Sequence, residues 1–143
     1  MDITYALLKK KGACSSQLAL FHKAFRDNPA PLGDATGIKY AGVFDFGWAA
    51  THLFPTPVLK SYQDAEKSLQ AEYEAARAPL LKAYRTAERS LYDAYGASKL
   101  PWESYLAIKD SLWEDYEAAK DPLLEQYHTA LALTFVRLAR GAA

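Results

Sequence analysis

From Tyr62 onward, apolar and polar positions alternate on a fixed period. Tyrosines stand at Tyr62, Tyr73, Tyr84 and Tyr95, then after a ten-residue step at Tyr105, Tyr116 and Tyr127, so every other interval is eleven residues. Ala65, Ala76, Ala87, Ile108, Ala119 and Ala130 follow three residues later, and Leu69, Leu80, Leu91, Leu112 and Leu123 seven later. The unit Tyr-x-x-Ala-x-x-x-Leu places i, i+3, i+7 and i+11 on one side of an α-helix, and Leu81, Tyr92, Trp113, Leu124 and Phe135 widen that side at i+8. Eleven residues in three turns is about 3.67 per turn, so paired helices should run nearly straight or coil right-handed rather than form a left-handed heptad coiled coil. The regular mixture of Tyr, Ala and Leu is expected to be packing surface rather than a ligand-stacking strip.

The period breaks at Tyr95-Gly96-Ala97-Ser98-Lys99-Leu100-Pro101-Trp102. Gly96 suits the left-handed conformation that ends a helix, and Pro101 suits a first helical turn. An antiparallel hairpin is predicted, with arms at about 56–95 and 101–140, each about 55–60 Å long. Pro79 and Pro122 occupy the same repeat position in Tyr73-Glu-Ala-Ala-Arg-Ala-Pro-Leu-Leu and Tyr116-Glu-Ala-Ala-Lys-Asp-Pro-Leu-Leu. Proline inside a helix removes a hydrogen bond, so both arms are expected to bend, at one height.

Residues 1–55 read as a separate small helical unit beside the 56–143 hairpin, and the fold class is all-α. Ile3 to Lys11 ends in three lysines and Gly12, a helix C-terminus by charge and by cap. Cys14 to Phe25 repeats Cys14, Leu18, Phe21 and Phe25 at helical spacing, with Ser15 or Ser16 available as caps. Asp34 starts a short third helix weakened by Gly37 and Gly42, and Asp45 a fourth through Trp48, Ala49 and Leu53. Phe44, Phe46, Trp48 and Phe54 are the expected core of this unit.

Charge and composition narrow the chemistry. Seventeen Lys and Arg balance seventeen Asp and Glu over 143 residues, which argues against a generally basic binder of nucleic acid. One cysteine excludes a disulfide framework and multi-cysteine zinc patterns. The opening Met1-Asp2-Ile3-Thr4 lacks a secretory signal's order, and no apolar run approaches the about 20 residues that span a bilayer. A soluble, cytoplasmic protein is expected, with no membrane partner. His22, His52 and His128 lack metal-ligand spacing, and there is no glycine-rich phosphate loop, so no cofactor or metal is implied. Cys14 with His22 or His52 could form a thiol nucleophile and base, but its apolar spacing favours a buried cysteine acting as a small hydrophobe. The chain is expected not to be an enzyme.

Ala13-Cys14-Ser15-Ser16-Gln17, then Phe44-Asp45-Phe46-Gly47-Trp48-Ala49-Ala50-Thr51-His52-Leu53, then units from Ala78-Pro79 onward form an ordered set. The layout resembles a group of phage and prophage proteins built from an Ala-Cys-x-x-Gln helix, a Phe-Asp-x-x-Trp-Ala-Ala segment and Ala-Pro-x-x-x-x-Tyr units. It covers most of the chain and carries no catalytic motif; Asp121-Pro122 departs from it where the pattern has Ala-Pro. The resemblance implies a phage setting inside a host cell. By analogy it implies a small protein that binds and inhibits a host complex, with anti-defence action such as anti-CRISPR inhibition as the specific expectation.

The surface that would serve such binding is on the second arm. Glu103, Asp110, Glu114, Glu117, Asp121 and Glu125 fall within an arc of about 80° at about 100° per residue, along about 33 Å of helix, opposite Tyr116, Ala119 and Leu123. Lys109 and Lys120 point elsewhere on this reading. Seven acids stand against two lysines between Pro101 and His128. Such a run is either a solvated face or a docking surface for a basic host protein, for instance one that itself grips nucleic acid, with Trp102 and Trp113 as aromatic anchors. On the first arm, Lys60, Lys67, Lys82, Arg85 and Arg89 cluster away from Tyr73 and Leu80. Acidic arm could then pair with basic arm between copies, and the alternative function is a structural or self-assembling homo-oligomer without a host target.

Overall fold

A computed structural model describes residues 1–142 of the chain. It is all-α, with no strand among the described residues: α1 (Tyr5–Lys10), α2 (Ser15–Phe25), α3 (Asp34–Tyr40), α4 (Phe46–Leu53), α5 (Thr56–Gly96) and α6 (Trp102–Gly141). The chain forms two compact units, one from Met1–Leu69 together with the segment from Tyr127, the other from Gln70–Gln126. The unit that holds α1–α4 thus also takes the first turns of α5 and the last turns of α6.

In the first unit, local chemistry sets the short helices. The Thr4 hydroxyl oxygen accepts the Leu7 N–H at 3.2 Å and starts α1; Gly12, at φ +85°, ends it by letting Ala13 N–H reach the Leu8 carbonyl at 3.0 Å. Asp45 caps α4 by accepting the Trp48 N–H at 2.8 Å. The two motifs that precede the repeats meet here: the Gln17 amide donates to the Val43 carbonyl at 3.4 Å, and its oxygen accepts the Asp45 N–H at 3.1 Å. Gln17 therefore ties α2 to the segment that launches α4.

Phe21, Ala50, Phe54, Tyr62, Phe135 and Val136 are the buried centre of this unit. Phe135 stacks on Phe54 with ring centroids 4.8 Å apart, and Phe46 lies 5.2 Å from the same ring. Phe44, Phe46 and Trp48 are half-buried around that centre and only Phe54 of the four expected core aromatics is fully enclosed. Gly37 gives α3 its close approach to α6, because a Cβ there would stand 3.3 Å from Val136 Cγ2 and 3.4 Å from the Ala132 carbonyl oxygen. At the start of α3, Asp34 accepts from Arg140 at 2.6 Å and Arg137 at 3.2 Å.

The second unit is an antiparallel pair. Tyr84 packs beside Tyr116 at 5.3 Å and Tyr95 beside Tyr105 at 4.9 Å, a register that brings Pro79 level with Pro122. Both helices continue through their prolines without a break. Leu91, Tyr105 and Tyr116 are the buried seam. The turn departs from the sequence expectation: Gly96 stays helical, and Ser98 takes the left-handed conformation at φ 56°. Ser98 N–H bonds the Tyr95 carbonyl at 2.9 Å and Lys99 N–H the Ala94 carbonyl at 3.1 Å, the paired bonds of a Schellman ending with serine in the usual glycine place.

Candidate functional site: the acidic face of the second long helix

Tyr116 fixes the orientation of α6 in the second unit. Its ring is buried between Tyr84 and Trp113, and its hydroxyl oxygen accepts from the Arg77 Nε–H at 3.1 Å. That bond comes first among the influences that raise the Arg77 pKa, so the guanidinium stays charged at the seam edge. With Tyr116 turned inward, the helix period turns Glu103, Asp110, Glu114, Asp121 and Glu125 outward, and all five are exposed. Among the described residues none of these five carboxylates is in an ion pair. They form one continuous acidic ridge.

Glu117 is the exception. The Lys120 ammonium donates to both of its oxygens at 2.6 Å and lies 5.8 Å from the Tyr116 ring centroid. Lys120 therefore does not point away from the stripe, as the sequence suggested, but folds back and neutralises one of the six acids. The hydrogen bond to Glu117 raises its pKa and keeps it protonated.

The two tryptophans flank the ridge. Trp102 is 51% exposed and Trp113 is 49% exposed, each in contact with tyrosines of the seam. Trp102 stacks on Tyr105 at 5.4 Å, and Trp113 meets Tyr84 edge-on at 5.6 Å. Each is braced by tyrosine rings while about half of its surface stays open, which suits an interface anchor. Leu106 and Ile108, exposed by 39% and 42%, were not foreseen as surface. Ile108 occupies the alanine place of the repeat, which is exposed at Ala76 and Ala119 as well but half-buried at Ala65, Ala87 and Ala130.

Cys14 corrects another expectation. Its spacing with Leu18 and Phe21 predicted burial, yet it is exposed, because it stands at the N-cap of α2, before the helical period begins. Its sulfur lies 3.2 Å from the Ser16 Oγ, and that hydrogen bond, followed by the Gln17 backbone, lowers its pKa. Neither candidate base is bonded to it. His52 Nδ1 is 2.8 Å from the Trp48 carbonyl oxygen and its ring stacks on Trp48, while His22 packs edge-on against Tyr5. Among the described residues, no three His, Cys, Asp or Glu side chains converge on a metal-sized site, and no helix is long and apolar enough to cross a membrane.

The first unit also holds an apolar cleft of about 70 Å³, lined by Ile3, Phe21, Phe25, Phe44 and Phe46 with Gln17 at its polar edge. Its other polar lining residues are Thr36 and Asp45, and the Gln17 and Asp45 side chains are already bonded to backbone groups, so the cleft offers apolar surface with few groups to orient a ligand. The chain matches no family model, no curated protein and no solved structure.

Proposed function

We propose that this protein works by binding another protein, without chemistry of its own, through the α6 face formed by Glu103, Asp110, Glu114, Asp121 and Glu125 with Trp102 and Trp113. The observation that carries the reading is the union of unpaired carboxylates and half-exposed, seam-braced tryptophans on one helix. Fixed like charges accelerate encounter with an oppositely charged surface, and rigid aromatic side chains at an interface supply most of the contact energy. Glu117 belongs to this face by position but contributes least, being neutralised by Lys120.

The partner class is a protein with a basic surface, such as a component of a nucleic-acid-binding complex. An acidic ridge about 33 Å long offers charge at a spacing that a phosphate-binding groove can accept. With the phage resemblance, the biological reading is inhibition of a host complex in the host cytoplasm, and blockade of a CRISPR effector is the specific case.

The test is affinity capture from host lysate, comparing the wild type with a variant carrying Asp110→Lys, Glu114→Lys, Glu117→Lys and Asp121→Lys. A defined basic partner should be captured by the wild type and lost by the variant. The same partner, once purified, should bind with an affinity that falls steeply with salt. Capture that is empty, or identical for the two proteins, removes the reading.

A further inference from the structure

We propose that a second copy of this chain is an occupant of the same face, and that two hairpin units pair through a two-fold axis running along their length. This pairing involves the protein alone. It does not depend on the host-binding reading, although it uses the same carboxylates.

One side of α5, turned away from the seam, carries three cations. Lys82, Arg85 and Arg89 are exposed, make no ion pair among the described residues, and line an open groove together with Leu81 and one carboxylate, Asp93, so that cations outnumber acids there three to one. Arg85 and Arg89 also flank Tyr92, which is 64% exposed. At about 100° per residue, the three cations lie about 120–180° round α5 from buried Leu91, with Tyr92 and Leu81 at about 80–100°. On α6, Asp110, Glu114 and Asp121 lie about 120–160° round from buried Tyr116, with Trp102, Leu106 and Trp113 at about 40–80°.

Those offsets share one sign. Both helices are right-handed and they run antiparallel, so equal offsets from the seam emerge on the same side of the pair. One face of the hairpin unit therefore carries a central band of Tyr92, Leu81, Trp102, Leu106 and Trp113. A basic edge on α5 and an acidic edge on α6 flank that band. Two acids on the α5 half of the band are already engaged, Glu74 with Arg77 and Glu88 with the Tyr84 hydroxyl.

Turning a second copy by 180° about an axis parallel to the helices exchanges the edges and keeps every height unchanged. Basic edge then meets acidic edge on both flanks, and aromatic band meets aromatic band. The observed register puts Arg89 level with Asp110, Arg85 level with Glu114, and Lys82 between Glu117 and Asp121. A two-fold axis across the helices would instead lay cations on cations. Charge complementarity thus selects one pairing, an isologous one that closes at two copies.

The test is sedimentation velocity on the purified protein with two charge-swap variants, Lys82→Glu/Arg85→Glu/Arg89→Glu and Asp110→Lys/Glu114→Lys/Asp121→Lys. Wild type should sediment as a dimer at low salt, with its dissociation constant raised about tenfold or more as salt goes from about 50 mM to 500 mM. Each variant alone should be a monomer with unchanged helical circular dichroism, and an equimolar mixture should form a one-to-one heterodimer. The rescue by mixing distinguishes pairing from misfolding. A monomeric wild type at low salt, dimers that ignore the swaps, or open-ended larger assemblies would each overturn the proposal. Binding of an oligonucleotide at Lys82, Arg85 and Arg89 by a protein that stays monomeric would assign the groove to nucleic acid instead. Failure here leaves the lysate experiment intact, because no host component is present.

Discussion

At the scale of the residue, Tyr62 shows how this fold uses its tyrosines and where it overreaches. Its ring is 1% exposed against Phe54 and Phe135, and among the described residues its hydroxyl is buried without a hydrogen-bond partner. Burial, and then the nearby charge of Glu66, pushes the phenol pKa upward. Replacing a buried, unsatisfied hydroxyl by hydrogen removes a desolvation penalty, so Tyr62→Phe should raise stability by about 1 kcal/mol in urea unfolding near neutral pH. The pH dependence has a definite sign. A folded-state pKa above the unfolded value means the contribution is fully present below about pH 10 and is lost as pH rises through that point, because the unfolded chain releases the proton first. Wild type should therefore lose stability above about pH 10 by up to about 1.4 kcal/mol per pH unit more steeply than Tyr62→Phe. Tyr84 and Tyr127, also raised chiefly by burial, contribute alkaline sensitivity to both proteins.

At the scale of the element, the eleven-residue repeat made the two long helices, their antiparallel pairing and the level prolines legible from sequence. What the period could not convey lies where side chains or caps leave it. Cys14 fits the apolar spacing of α2 but sits before the first helical residue, where the period has no meaning. Lys120 points off the acidic face by helical angle, yet a flexible four-carbon stem brings its ammonium back to Glu117. The alanine place of the repeat looked like core, but at Ala76, Ile108 and Ala119 it is exposed. The turn is the clearest case. Glycine marks a helix end so strongly that Gly96 drew the assignment, while the backbone chose Ser98 two residues later. A non-glycine residue at φ 56° carries a conformational penalty of about 1 kcal/mol. Ser98→Gly should recover about 0.5–1 kcal/mol and raise the thermal midpoint by a few degrees, as calorimetry can show. The acidic face was legible as a charge pattern. The aromatic band that joins it to the basic edge of α5 was not, because it depends on the hand of two packed helices.

At the scale of the molecule, the two long helices belong to both compact units, and the first unit has its core shared between the two ends of the chain. Phe135 is the keystone of that core, in contact with Phe46, Phe54 and Tyr62. Phe135→Ala should cost about 3–5 kcal/mol in denaturant unfolding, far more than an exposed substitution on the acidic ridge such as Asp110→Asn, which should fall within about 0.5 kcal/mol. Self-pairing through that ridge would also make capture of a basic partner concentration-dependent, since a paired ridge is occupied. The placement of Ala132, Phe135, Val136 and Ala139 against Ile3, Phe21 and Phe54 has a further consequence, in time rather than space. A nascent chain that has finished α1 to α4 can bring Phe21, Phe25, Tyr40 and Phe44 together, but Phe54 lacks the Phe135 ring that stacks on it until the last turns of α6 are made. The core of the first unit therefore closes only after residues 132–139 have been made, well after the helices they cover.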